Sequence, residues 1–280
     1  AFRYALGRYG SAGRSSGNAT GASFVGTLAL AGLVVSIAVL VFVISVVNGF
    51  EREMRERLLN VLPHINAIST QGIPLADIAN LPALDIRSGL AALAPVTQSS
   101  GLLAANGQVR PVQITGVDER YGNVSAVAEF GVDGAFTDIQ RTAFGIALGG
   151  RLADQLEVGV GDDLVVLLPD QRISIAGALP RQKRFTVVSV FRSRSQLDSS
   201  DAFIALADAQ RLLRMPGRAH GVQGRLTELF DSYGASQFLS DQLAASAPRV
   251  RPWMAEFGTL YQAISVQKAT LFLLFSLLIA

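Results

Sequence analysis

The sequence has no cysteine, two histidines and one tryptophan among 280 residues. Without thiols it can form neither a disulfide framework nor a thiolate metal site, so a folded domain in this chain is held by its core alone. The histidines, His64 and His220, are far apart, and no HxH or HxxxH spacing presents two imidazoles to one metal. Both read as surface or structural. No serine sits in a Gly-x-Ser-x-Gly elbow, and Gly149-Gly150-Arg151 and Gly159-Val160-Gly161 match neither nucleotide-binding glycine pattern. Asp162-Asp163 reads as a turn before a strand, and Asp198-Ser199-Ser200-Asp201 as a hairpin turn. The chain therefore shows no catalytic apparatus, and neither a metal nor a cofactor of its own is expected.

Acids are missing from the first fifty residues. Arg3, Arg8 and Arg14 precede Glu51, the first acid, and an uncharged stretch runs from Ser15 to Phe50. Residues 24–47 within it are apolar and exceed the roughly 20 residues that cross a hydrocarbon core. The basic flank places the N-terminus in the cytoplasm and the chain after Gly49 outside it. A cleaved signal peptide fits less well, because the apolar region is too long and Ser45-Val46-Val47-Asn48 lacks a small-residue cleavage pattern. With the N-terminal arginines and Lys268 set aside, the remaining bases fall just below the 22 acids. The alkaline pI of about 9.2 is thus local and gives no case for nucleic-acid binding.

Four segments follow: a cytoplasmic segment 1–22, a transmembrane helix 23–48, an extracytoplasmic α+β domain 49–263, and at 264–280 the start of a second span. Twelve apolar residues follow Lys268, too few to cross a bilayer, so the expectation is a piece of a larger multi-pass protein. Residues 2–9, with Tyr4 and Tyr9, fit a short interfacial helix or a flexible basic tail. Ala22, Gly26, Ala29, Gly32 and Ser36 fall on one face of the span and suit close approach by another helix. Phe50, Met54, Leu58, Val61 and Leu62 continue the helical stripe, with Glu51–Arg55 and Glu53–Arg57 at i,i+4, predicting a stalk over 49–62 that ends at Pro63.

Beyond the stalk, strands are predicted over 65–70, 96–104, 109–117, 144–148, 164–168, 185–191, 202–206, 221–226 and 250–253. Asn106-Gly107 marks the turn of a hairpin. Helices are predicted over 151–156, 208–215 and 232–245, and one or two over 75–93 with a break at Pro82. Residues 122–138 read as loop.

The segment 169–184 stands out because hairpin loops are usually far shorter. No acid occurs from Gln171 to Leu197, while Arg172, Arg181, Lys183, Arg184, Arg192 and Arg194 are basic. Basic flanks around the apolar, small-residue centre 173–179 suggest a projecting arm that docks an acidic or apolar partner. The candidate contact residues are Arg172, Ile173, Ser174, Ile175, Ala176, Gly177, Leu179, Pro180, Arg181, Gln182 and Lys183. A long solvated hairpin is the alternative.

Several stretches together resemble the LolC/LolE family, permeases of the lipoprotein-releasing ABC transporter of Gram-negative bacteria. They are Val46-Val47-Asn48-Gly49-Phe50-Glu51-Arg52-Glu53-Met54, Gly150-Arg151-Leu152-Ala153-Asp154-Gln155-Leu156 with Gly161-Asp162, and Arg184-Phe185-Thr186-Val187-Val188. Ala207-Asp208-Ala209-Gln210-Arg211-Leu212-Leu213 and Trp253-Met254-Ala255-Glu256-Phe257-Gly258-Thr259 complete the set. The resemblance implies four spans in the full protein, a cytoplasmic ATPase subunit that binds ATP-Mg, a second permease subunit that is identical or homologous, and an inner-membrane location. It also implies extraction of lipoproteins and their transfer to the soluble periplasmic carrier LolA. The arm matches the family's carrier-capturing hook, and Gln182 and Lys183 fall in its supporting pad. Two departures stand out: no proline occupies the tip Ser174-Ile175-Ala176-Gly177, and Val165 stands where a pad arginine is expected.

Lipoprotein acyl chains need an apolar cavity at membrane level, for which Val43, Val46, Val47, Phe50 and Met54 are the candidate lining; Met and Phe repack easily around variable chains. A LolE-like role, a homodimeric permease, an exporter of peptides or drugs with the same architecture, and an anchored scaffold or sensor are the alternatives.

Overall fold

The computed structural model describes residues 19–54, 61–82, 88–168, 181–229 and 231–256, with scattered positions from 258 to 276. Segments 1–18, 55–60 and 169–180 and most of the predicted second span lie outside the described residues. The chain divides into two compact units, Ala1–Arg57 and Leu58–Ala280.

The first unit is helix α1, Ala19–Met54. Its stretch Phe24–Val46, 23 residues of mean hydropathy 2.9 with none buried, is long and apolar enough to cross a membrane. Phe24, Leu28 and Phe42 are each more than 60% exposed, which only an apolar surrounding makes favourable. The hydroxyls of Thr27 and Ser36 donate within the helix, to the carbonyls of Phe24 (2.8 Å) and Gly32 (2.9 Å). That internal pairing is what hydrocarbon demands of a polar group. The predicted stalk is helical as far as Met54; Val61 and Leu62 already lie in a turn instead of a helix.

The second unit is a mixed ten-stranded sheet. Its strands are β1 (Ile65–Pro74), β2 (Leu90–Ala105), β3 (Gln108–Val117), β4 (Gly131–Asp133) and β5 (Gly145–Gly149), then β6 (Asp163–Leu168), β7 (Arg181–Phe191), β8 (Asp201–Ala205), β9 (Arg218–Leu226) and β10 (Arg249–Pro252). The order is β10-β1-β9-β2-β3-β8-β5-β7-β4, with β6 pairing both β2 and β7. Strand β6 thereby closes a circuit, β2-β3-β8-β5-β7-β6. Its inward side chains, among them Leu103, Ile114, Ile146, Val166, Phe185 and Ile204, form one core cluster. Helices α2 (Gly150–Leu156) and α3 (Leu206–Leu213) add Leu152, Leu156 and Ala209 to it. A second cluster covers one face of β1 and β9, where helix α4 (Tyr233–Gln242) and the fully buried Trp253 pack on Ile65, Ala67 and Val222. A third gathers Tyr121, Phe136 and Phe191 around Phe203, with ring centroids 5.4 to 5.7 Å apart.

Two glycines have a definite task. Gly107 (φ 74°) follows Asn106 (φ 48°), giving the paired left-handed conformations that a tight two-residue hairpin turn needs. At Gly116, an added Cβ would lie 2.2 Å from Ala209 Cβ, so its bareness is what lets α3 lie on the sheet.

Several elements differ from the sequence expectation. Residues 90–93, read as helix from their Ala and Leu content, are strand because they pair with β9; long-range pairing overrides propensity. The loop read over 122–138 contains a helix Tyr121–Val124, a 3-10 turn Ala126–Phe130 and β4. Asp198 is not in a hairpin turn. It belongs to a short helix, Leu197–Ser200, and its buried carboxylate accepts from the Ser193 N–H, the Ser193 hydroxyl and the Arg194 N–H. The α+β class holds, with β3–β8 and β5–β7 parallel and the other pairs antiparallel.

Candidate docking surface at the base of the arm

The apolar run 164–168 forms β6 because it must fill the circuit. The turn before it is fixed by Asp162, whose carboxylate accepts the Gly159 N–H at 2.8 Å, which is the structural role expected of that acid. Strand β7 begins at Arg181, directly opposite Leu168, so residues 181–184, predicted as part of the arm, are paired strand. Of the predicted arm, that leaves 169–180. Arg172, Ile173, Ser174, Ile175, Ala176, Gly177, Leu179 and Pro180 lie outside the described residues.

Pairing in β7 sorts the basic residues by a period of two. Lys183 stands opposite Val166, on the inward side, where its ammonium lies 4.0 Å from the centroid of the Phe144 ring. Phe144 in turn packs edge-on against Phe185 at 5.5 Å. A cation over an aromatic face is held at the rim instead of projecting. Gln182 and Arg184 point the other way, opposite Leu167 and Val165, and Gln182, Lys183 and Arg184 are all three exposed. Gln182 and Lys183 therefore do not share a face. The arginine expected at Val165 is supplied from across the ladder by Arg184, since paired side chains stand about 5 Å apart. Arg184 makes only a long, exposed contact with Asp163 (3.7 Å), leaving its charge available.

The same outward face carries an apolar strip missed by the sequence reading. Leu102 pairs with Leu167 on one side and with Pro111 on the other, and Val109 pairs with Ala104. Leu102 is 42% and Val109 49% exposed. Apolar residues on both faces of a strand hide this strip from a periodicity test; only the register of β2, β3 and β6 assembles it.

The remaining cations belong elsewhere. Arg192 and Arg194 lie beyond the far end of β7, about 35 Å from Arg181 along an extended chain. Arg192 holds Asp154 bidentately, at 2.8 and 3.0 Å, which lowers that carboxyl below its usual range. Both histidines are structural: Nδ1 of buried His64 accepts the Leu226 N–H, and Nδ1 of His220 accepts the Gln98 N–H, each at 3.1 Å. Burial pushes His220 below its ordinary value. No cluster of metal-ligating side chains occurs among the described residues. On α1, Val43 is half-buried and Val46 is 54% exposed; Val47, Phe50 and Met54 share the helix, their side chains lying outside the description.

The chain thus joins one helix long and apolar enough to cross a membrane to a mixed α/β domain with an exposed amphipathic patch. The chain belongs to the MacB-like periplasmic core domain family, whose model matches residues 27–250. It is 31% identical, over 92% of its own length, to the lipoprotein-releasing system transmembrane protein LolC of Neisseria meningitidis. It is 27% identical, over 89% of its length, to LolE of Haemophilus influenzae. It spans 63% and 61% of those two relatives. The periplasmic region of MacB from Actinobacillus actinomycetemcomitans matches 76% of this chain and 98% of its own at a TM-score of 0.46 and 14% identity. The resemblance to LolC/LolE read from the motifs is borne out.

Proposed function

We propose that this chain is the N-terminal span and periplasmic domain of a permease subunit that extracts lipoproteins from the inner membrane and hands them to LolA. The observation that carries this reading is the 31% identity to LolC over 92% of this chain. The permease pairs with a second permease subunit and with a cytoplasmic ATPase that binds ATP-Mg; this chain supplies no ATP chemistry. Val43, Val46, Val47, Phe50 and Met54 line the acyl cavity. The arm 169–180 engages the carrier, with the outward strip Leu102, Val109 and Leu167 and the polar edge Gln182 and Arg184 supporting it.

A photocrosslinker at Ile175, in membranes given purified LolA, tests this. The expected result is a crosslink to LolA that weakens strongly when Gln182 and Arg184 are replaced by alanine, and less when Arg181 and Lys183 are. No crosslink from any arm position of a folded protein overturns carrier docking. A single permease serving both roles is the second reading. It is favoured by near-equal identity to the two Haemophilus influenzae subunits, 27% to LolE and 25% to LolC. Purified complex containing only this permease supports it, and a complex that requires a second, different permease overturns it.

A further inference from the structure

On the sheet face opposite Trp253, a trough crosses the strands from β10 to β8. Two cavities of about 280 and about 390 Å³ make it, and they share Asn66 and Gln98. Each is the size of an ordinary small-ligand or peptide-segment cleft. The floor carries four amides, Asn66, Gln98, Gln113 and Gln223, with Thr115 between, and apolar walls that include Val61, Leu197 and Phe203 flank them. Asn66 pairs with Arg251 on one side and Gln223 on the other, so these three side chains form one row across the ladder.

Three observations together indicate a ligand. First, Gln223 is only 4% exposed, and its Oε1 accepts no hydrogen bond. A buried acceptor left unmet is costly and uncommon, and this one lines the cavity wall. Second, amide side chains donate and accept at once, which matches the alternating N–H and C=O of a polypeptide backbone. Third, the ends of the trough differ in charge. Arg249 and Arg251 are exposed at the β10 end, and neither has a carboxylate partner among the described residues, whereas Asp201 lies at the β8 end.

We propose that this trough binds an extended polypeptide segment, with backbone groups on the amide row and acidic side chains on Arg249 and Arg251. The segment lies across the strands and adds no strand to an edge. The trough shares no residue with the docking surface formed by Leu102, Val109, Leu167, Gln182 and Arg184, and the proposal does not depend on carrier docking.

The test is fluorescence anisotropy of the full chain in detergent micelles with a fluorescein-labelled Gly-Ser-Asn-Gly-Glu-Asp-Glu peptide. Saturable binding is expected. It should weaken about tenfold in Arg249→Ala/Arg251→Ala, through loss of charge-assisted hydrogen bonds, and about tenfold in Gln223→Leu. A peptide with lysine at the three acidic positions should bind at least tenfold more weakly. Gln182→Ala/Arg184→Ala should leave binding unchanged, which separates a failure here from a failure of carrier docking. The arginines are exposed, so their removal does not threaten folding, and a thermal melt checks each variant. Absence of saturable binding to the wild type, or binding indifferent to both variants, overturns the proposal. Displacement by inorganic phosphate as effective as by unlabelled peptide overturns it in favour of a phosphate site.

Discussion

Ile65, Ala67 and Val222 point to one side of β1 and β9; Asn66 and Gln223, their immediate neighbours in the chain, point to the other. The first side is sealed by α4 and Trp253. The second is left as a trough, yet Gln223 on it is nearly as buried as Val222. Half-buried antiparallel strands ordinarily show a dry face and a wet one. Here the polar face is recessed at Gln223 instead of washed by solvent, and that recess is where the proposed peptide site lies.

Substitutions should therefore separate the two faces. The largest effect is expected at Trp253, whose indole N–H donates to the Leu229 carbonyl at 2.7 Å inside the sealed cluster. Trp253→Ala should cost about 3–5 kcal/mol in urea unfolding, from cavity formation and a stranded acceptor. A loss below about 1 kcal/mol would mean that the sealed face is not the stabilising one. Next is Gly116→Ala, which forces α3 off the sheet by the 2.2 Å clash with Ala209 and should cost about 1–3 kcal/mol. Adding Ala209→Gly should restore most of it if the clash is the cause.

The smallest effect belongs to the trough and has the opposite sign. Burial raises the Asp201 carboxyl above its ordinary value of 3.8, against the pull of the Ser200 hydroxyl. The folded chain thus holds this proton more tightly than the unfolded chain, and stability is lost as pH rises from about 3.8 through the raised value. Asp201→Asn should raise the melting temperature at pH 7. The advantage should shrink on acidification and vanish below about pH 3.8. A variant less stable than wild type at pH 7 would show that the carboxylate is satisfied in the folded chain.

Much of this architecture is legible from residue pattern. Helix α1 declares itself by length and lack of charge, and the β2–β3 hairpin by Asn106-Gly107 between alternating strands. Strand β6 is legible as the apolar run 164–168, but the circuit it completes is not, because pairing partners so distant in sequence leave no local trace. Arg181 to Arg184 read as one basic cluster; strand period then places Gln182 and Arg184 outward and Lys183 over Phe144. Arg192 and Arg194 were grouped with the arm through sequence proximity, and β7 carries them to the opposite end. The trough was invisible for the same reason: Asn66, Gln98 and Gln223 look like scattered surface amides until β1, β2 and β9 lie side by side.

Strands β1 and β10 are antiparallel neighbours with Ile65 opposite Pro252, and the His64 carbonyl accepts the Trp253 N–H at 2.8 Å. The first and last strands of the domain therefore meet at one corner, like the two prongs of a handle. A force that parts the prongs opens their ladder one rung at a time, as a zipper opens, and meets little resistance. A force that moves both prongs together never loads a single rung and swings the whole domain as one rigid lever. The fold thus resists being moved by its two chain ends only when those ends travel in step.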